Sequence, residues 1–329
     1  MESSPSGAVN SPSGLRAGTS RSARSASTQA QTHEQPPAQT QAPADAQTQP
    51  HALKVFDVEA AFRARNPALA RLLPPGTFAL LRAVLHEPLV NWGIHRYGAG
   101  DALTFCRKVL DHLNIRVELE RGDRLRECPR PVVCANHPSG GIEGLVLIAE
   151  ILQAHGRLSL PANELLGMIP ALAPLIVPID RYRGNRGVAR RYADAFAADP
   201  PVLVFPAGRT ARIRAGRLRE YPWAKSFVTA ARRHDRVVLP VWVSGRNSAL
   251  FYGIHRARRA LGVSLNVEML LLVDELLRRR GDVVTVRFGA PRPARDLVES
   301  DPVLHRADRR VAFALQREVE QLGRVHANT

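Results

Sequence analysis

The chain has 329 residues, a formal net charge of +16 and a pI near 11.1. That length allows one large domain or two small ones. The basic balance favours anionic partners such as phospholipid headgroups, acyl carrier protein or coenzyme A. Nucleic acid stays open on charge alone, but with 5% aromatics and no zinc-finger spacing, RRM-type motif or helix-turn-helix pattern it is not the expected partner. The basic residues are nearly all Arg, with Lys only at Lys54, Lys108 and Lys225, a bias that a GC-rich genome also produces. Cys106, Cys128 and Cys134 are irregularly spaced and fit neither a disulfide framework nor a metal site, so they read as reduced thiols. No window reaches roughly 18 uninterrupted apolar residues, so no transmembrane helix is expected. The start, Met-Glu-Ser-Ser-Pro, lacks the basic and apolar regions of a signal peptide, which points to the cytoplasmic side.

Residues 1–51 are mostly Ser, Thr, Gln, Pro and Ala, too poor in large apolar residues to offset chain entropy. They are expected to be a disordered low-complexity tail, with residues 52–329 forming the folded domain. Phe56 to Phe62 reads as a short helix with Asp57 near its start. After Pro74-Pro75, a stripe of Phe78, Leu81, Leu85, Leu89 and Trp92 at steps of three and four predicts one amphipathic helix. It either packs on the core or lies in a headgroup layer. A helix near 102–113 leads to a strand near 115–119.

The run Val132-Val133-Cys134-Ala135 then reads as a buried strand. It breaks at Pro138 and at the Gly140-Gly141 pair into a tight turn, and a buried helix follows from about Gly144. His137 therefore sits just off a strand end, with Glu143 in or near the first turn of the helix. Strand ends of this polarity are where open α/β sheets bind ligands. Two readings of the pair stand side by side. An imidazole of ordinary pKa, about 6.5, accepts a proton near neutral pH, and a carboxylate on its other nitrogen fixes the tautomer and stabilises the imidazolium. The other reading is a polar turn in which Asn136 and His137 cap the next helix. Ser139 lacks the Gly-x-Ser-x-Gly elbow of a nucleophile and reads as a turn residue.

Further along, Leu158 to Leu160 reads as a strand and Asn163 as a helix cap. Leu175 to Arg181 is a strand that ends in polar residues, with Arg183 two positions on. Val202 to Phe205 is a strand before the turn Pro206-Ala207-Gly208-Arg209. Trp223 to Phe227 begins a helix. Val237 to Val243 is a strand before Ser244-Gly245-Arg246-Asn247-Ser248. A last strand spans 283–288, and 303–322 is an amphipathic helix with Val311 and Leu315 on one face.

The stretch from Asn136 to Gly144 resembles the first motif of the glycerolipid acyltransferases, whose form is Asn-His, four residues, then Asp. The longer spacing to Glu143 resembles more closely a bacterial hemolysin-labelled branch with His-Pro-x-Gly-Gly-x-Asp-Gly. Asn163-Glu164-Leu165-Leu166 and the Gly245-Arg246-Asn247-Ser248 run, with Phe251-Tyr252, resemble further elements of that branch. Phe205-Pro206-Ala207-Gly208-Arg209 resembles the third motif, but the carboxylate expected there is absent and Arg209 stands in its place. The resemblance covers roughly Phe56 to Pro293.

What the resemblance implies is a mixed α/β sheet flanked by helices on both faces and a membrane-associated acyltransferase. It would transfer a fatty acyl group from acyl-acyl carrier protein or acyl-coenzyme A to a lysolipid hydroxyl, without a metal, a cofactor or a covalent acyl-enzyme. His137 is the implied general base and Glu143 its partner. The implied substrate-binding set is Asn136, Gly140, Gly141, Asn163, Arg181, Arg183, Gly208, Arg209, Arg246 and Asn247. The acceptor is a lysophospholipid or a lyso-amino-acid lipid, and the protein is expected on the inner face of the cytoplasmic membrane. The altered third motif keeps open a second class, an inactive lysolipid-binding or membrane-regulatory protein of the same fold.

Overall fold

The computed structural model describes residues 56–65, 67–179, 186–262, 266–297 and 304–324. The tail of residues 1–51 lies outside them, as do Arg181 and Arg183. Four helices come first: α1 (Val58–Arg65), α2 (Pro67–Leu72), α3 (Thr77–Val84) and α4 (Glu87–Tyr97). Asp57 caps α1, its carboxylate accepting the Ala60 N–H at 2.9 Å.

The single helix expected from Phe78 to Trp92 is instead broken between α3 and α4. His86 turns left-handed at φ 49°, and Pro88 sits in the first turn of α4. A proline there cannot continue a helix from the preceding turn, because it lacks an N–H and its ring clashes with that turn. The break frees Glu87 and Asn91 to hold the start of α1. Glu87 is buried and accepts the Val58 N–H at 3.0 Å. Asn91 exchanges two hydrogen bonds with Phe56, each 2.8 Å.

The remaining elements are α5 (Ala102–His112), β1 (Arg116–Glu120), α6 (Asp123–Glu127), β2 (Pro131–Ala135), α7 (Ile142–His155), β3 (Leu160–Ala162) and β4 (Ile176–Pro178). They continue with α8 (Arg186–Ala197), β5 (Val202–Val204), β6 (Arg212–Arg214), β7 (Arg217–Arg219), α9 (Ser226–Arg233) and β8 (Val237–Val243). Last come α10 (Ala249–Ala260), α11 (Leu272–Arg278), β9 (Val283–Phe288), β10 (Arg292–Pro293) and α12 (Leu304–Leu322).

The main sheet is mixed, in the order β1-β9-β8-β2-β5, with β10 paired to β8. β8, β2 and β5 are parallel neighbours, whereas β8 and β9 are antiparallel. Side chains alternate along β2. Val133 and Ala135 enter the apolar core under α5 and α7, while Val132 and Cys134 enter the core under α9 and α12. The sheet is thus covered on both faces, as fully apolar parallel strands require.

Three local features differ from expectation. β3 and β4 pair with each other in parallel, and Ser159 just before β3 bridges Val202 of β5. β6 and β7 form a hairpin whose turn residues Ala215 and Gly216 both have positive φ, the geometry that matches strand twist. α7 begins at Ile142, earlier than the apolar run suggests, because a side chain in its own first turn satisfies the N–H groups ahead of it, as set out below. All three cysteines are buried. Among the described residues, no helix is long and apolar enough to cross a membrane.

Candidate active site

The parallel run of β8, β2 and β5 brings three strand ends to one edge of the sheet: Asn136-His137 after β2, Phe205 to Arg209 after β5, and Ser244 to Asn247 after β8. Asn136 spends its side chain on the sheet itself. Its Nδ2 donates to the Val243 carbonyl at 2.9 Å, and its Oδ1 accepts the Val243 N–H at 2.7 Å.

His137 follows with its side chain one-fifth exposed and its Nδ1 3.0 Å from Oε1 of Glu143. The approach is close but off the line of a good hydrogen bond. With Nδ1 turned to Glu143, Nε2 is the nitrogen left for a reactant. The ring lies against Phe205, centroids 4.5 Å apart. The His137 carbonyl accepts the Ala211 N–H at 2.8 Å, so the backbone after β5 is tied to the backbone after β2.

Glu143 is fully buried at 0% exposure. Its carboxylate accepts the N–H groups of Ser139 at 2.9 Å, Gly140 at 2.7 Å and Gly141 at 3.3 Å, and also the Ser139 hydroxyl. Burial pushes its pKa up, but the contact and charge of His137 and the hydrogen bonds from Ser139 and Gly140 outweigh it and hold the group down at about 2. A negative charge in the first turn of α7 is further favoured by the helix dipole.

The two glycines differ. Gly140 has φ +93°, and a Cβ there would overlap the Thr210 methyl and meet Leu272. Gly141 has a negative φ, −151°, and the nearest atom to a Cβ there is 3.8 Å away. Both N–H groups point at Glu143, so in this conformation they serve the carboxylate rather than a ligand.

In the third motif, the Gly208 N–H closes the turn on the Phe205 carbonyl at 2.8 Å. Arg209 is exposed, its guanidinium 5.5 Å from the centre of the Tyr221 ring. Arg246 is exposed on the loop after β8. Asn247 is buried at 4%, and its side-chain amide has no hydrogen-bond partner among the described residues. Asn163 is exposed and precedes a 3₁₀ turn over Glu164–Met168, its carbonyl accepting the Leu166 N–H at 3.1 Å. It follows β3, which Ser159 joins in parallel to the β5 side of the main sheet.

Two features of the site carry no sequence signal. Arg212, buried at 3%, donates to the Thr210 carbonyl at 2.8 Å and to Glu268 at 3.0 Å. Glu268 also contacts His255 Nδ1 at 2.9 Å and accepts from Arg258 at 2.6 Å. This network braces the Thr210-Ala211 backbone that meets His137. The second feature is Glu220, at the foot of the β6–β7 hairpin. One of its oxygens accepts the His137 backbone N–H, and the other accepts the Trp223 indole N–H at 2.7 Å. His137 lies 83 residues from Glu220 and Arg212 lies 56 from Glu268, beyond any spacing that periodicity reports.

Comparison with known proteins bears on this arrangement. A family model described as Acyltransferase matches residues 60–310. A protein of Bacteroides thetaiotaomicron described as a lyso-glycine lipid O-acyltransferase is 30% identical over 244 residues, 73% of this chain and 89% of its own length. One of Phocaeicola vulgatus with the same description is 29% identical over 242 residues, 73% of this chain and 86% of its own. A crystal structure described as the 1-acyl-sn-glycerophosphate (LPA) acyltransferase PlsC from Thermotoga maritima is similar over 81% of this chain and 94% of its own, at 17% identity and a TM-score of 0.43. With most of its folded length matched by one family model, the chain belongs to the acyltransferase family, within the glycerolipid acyltransferase superfamily that its motifs resemble.

Proposed function

We propose that this acyltransferase moves a fatty acyl group from a thioester to the hydroxyl of a lysolipid, with His137 as general base and Glu143 as its partner. The observation that carries this reading is the 3.0 Å approach of His137 Nδ1 to a buried Glu143. The carboxylate orients the ring and stabilises the imidazolium. Nε2 takes the acceptor's hydroxyl proton as that oxygen attacks the thioester carbonyl. The tetrahedral intermediate then collapses, the C–S bond breaks, and the thiolate recovers the proton from the imidazolium. The products are an ester and a free thiol, and no acyl group is held on the protein.

The donor is acyl-acyl carrier protein or acyl-coenzyme A, both thioesters. For the acceptor, the two relatives described as lyso-glycine lipid O-acyltransferases support an amino-acid lipid over a lysophospholipid. The carboxylate of such a headgroup suits Arg209, which stands where the third motif carries an acid. Arg181, Arg183, Arg246 and Asn247 complete the proposed acceptor set.

The protein works at the surface of an anionic membrane, on its inner face. Exposed Leu72 on α2 and Leu80 on α3, and exposed Ile213 and Leu218 on the β6–β7 hairpin beside Arg217 and Arg219, support this.

The test is thiol release from palmitoyl-coenzyme A and palmitoyl-acyl carrier protein in the presence of lyso-glycine lipid or lysophosphatidate, with the product identified by mass spectrometry. Acceptor-dependent thiol release with a diacyl product is expected. Acceptor binding without any thiol release would refute the transfer.

A further inference from the structure

Glu220 lies 83 residues from His137 in sequence and touches its main chain in space. The acid that the third motif lacks at Arg209 is thus met by a carboxylate from the end of the hairpin that follows that loop. Two N–H donors converge on Glu220: the His137 amide on one oxygen and the Trp223 indole on the other. Only a carboxylate offers an acceptor on both atoms. A glutamine presents one acceptor and one donor, so it would leave one N–H facing another.

We infer that Glu220 is a positioning residue of the acyl-transfer reaction, a carboxylate that holds the His137 main chain at the angle from which the ring meets Glu143. This rests on the transfer reading above. The His137 backbone is fixed at two points. Its carbonyl is held by Ala211 and its N–H by Glu220, so the side chain between them is aimed from both ends. Trp223 is buried at 5% and packs edge-on to Phe227, so Glu220 is itself anchored to the α9 core.

The charged and titratable groups facing Glu220 are His137 after β2, Glu143 on α7, and Arg214 on β6, whose guanidinium donates to the Glu220 carbonyl. Burial, with a smaller contribution from the negative charge of Glu143, pushes the Glu220 carboxyl up to about 7, against the pull of its two N–H donors and of His137. Above that pH the ionised group grips both donors. Below it the grip loosens, at a pH where the reaction should still run.

The experiment uses the full chain. Steady-state transfer from palmitoyl-coenzyme A is measured from pH 5.5 to 9 for wild type, Glu220→Gln and Trp223→Phe. In parallel, the three indole N–H signals, those of Trp92, Trp223 and Trp242, are followed by 15N NMR, with Trp223→Phe identifying its own. Glu220→Gln is expected to lower kcat roughly 10- to 100-fold, as a misaimed catalytic group does, with the acceptor KM within about twofold. Its acid limb should lose one proton of steepness. Trp223→Phe keeps the acid but removes a donor that favours ionisation, so its acid limb should move to higher pH. If Glu220→Gln fails to fold, that shift is the deciding readout. In wild type, the Trp223 indole signal should titrate near pH 7, and in Glu220→Gln it should not.

An active wild type whose Glu220→Gln keeps kcat within about twofold and an unchanged acid limb would overturn the role. So would a Trp223 indole signal that is flat across pH 5.5–9. A wild type with no transfer from any thioester is a separate result: it removes the enzymatic reading and the role with it.

Discussion

Asn136 and Val243 exchange a closed pair of hydrogen bonds, side-chain amide to main chain, across the ends of β2 and β8. The amide is therefore a splint between two strand ends, one of which delivers His137. Asn136→Leu removes the partners of the buried Val243 N–H and carbonyl. A stability loss of about 2–4 kcal/mol is expected, the range for leaving two buried backbone groups unsatisfied. Chemical denaturation checks it. Activity should fall as well, because the His137 backbone loses its reference point. A variant as stable and active as wild type would return Asn136 to the acceptor-binding set.

The glycine pair predicts a sharp asymmetry. Gly140→Ala places a methyl where Thr210 and Leu272 already are, at a φ that side-chain-bearing residues rarely adopt. The turn must shift, taking with it the donors that hold Glu143. Activity should drop at least 100-fold, with a stability loss of roughly 1–3 kcal/mol. Gly141→Ala meets nothing closer than 3.8 Å and sits at a negative φ, so its activity should stay within a few-fold of wild type. Parallel kcat/KM measurements of the two variants check this contrast.

A positioned general base is worth roughly 10²- to 10⁴-fold. His137→Ala should lose at least that much in single-turnover acyl transfer with little change in Tm. Glu143→Gln should lose less. Because the two act as one unit, the double variant should fall far short of the product of the single losses. Multiplicative losses would mean that the ring and the carboxylate act independently.

Glu143 also makes the fold pH-dependent. Its carboxyl is held at about 2, below its ordinary value near 4.5. A depressed acid contributes stability that is present above the unfolded value and is lost as pH falls through the folded one. Wild-type stability should therefore decline between pH 4.5 and 2 more steeply than that of Glu143→Gln. Thermal melts across that window measure the difference.

Removing Glu268 should be costly. Its carboxylate is shared by Arg212, His255 and Arg258. Glu268→Ala leaves the buried Arg212 guanidinium without a counter-charge, a loss of about 3–5 kcal/mol. The Thr210-Ala211 backbone it braces is the one bonded to the His137 carbonyl, so activity should fall at temperatures where the variant is still folded. Thermal melts and assays on the same sample separate the two effects.

The continuous apolar, Val-rich runs before His137, Phe205 and Ser244 made β2, β5 and β8 legible, because fully buried parallel strands leave that pattern. The His137–Glu143 pair was legible because only seven residues carry it and two glycines punctuate them. Legibility ended where order depends on one distant group. The break at His86 serves Glu87 and Asn91, whose partners near the start of α1 lie 29 and 35 residues away. The Arg212–Glu268 bond spans 56 residues and the Glu220–His137 bond spans 83, and no local periodicity records either. The β6–β7 hairpin is only three residues per strand, too short for alternation to register.

The reach of Glu143 across the Gly140-Gly141 turn makes the turn and its acid one unit. A single carboxylate takes the N–H groups of three successive residues and a hydroxyl, so it closes the turn as well as meeting His137. Glu143→Asp shortens that arm by one methylene and draws the acid back from its donors unless the turn closes in. The hemolysin-labelled branch that this motif resembles carries Asp at the same spacing, so an Asp there must be met by a turn that sits closer to its helix. Exchanging the acid alone between two such relatives should therefore cost more than exchanging acid and turn together.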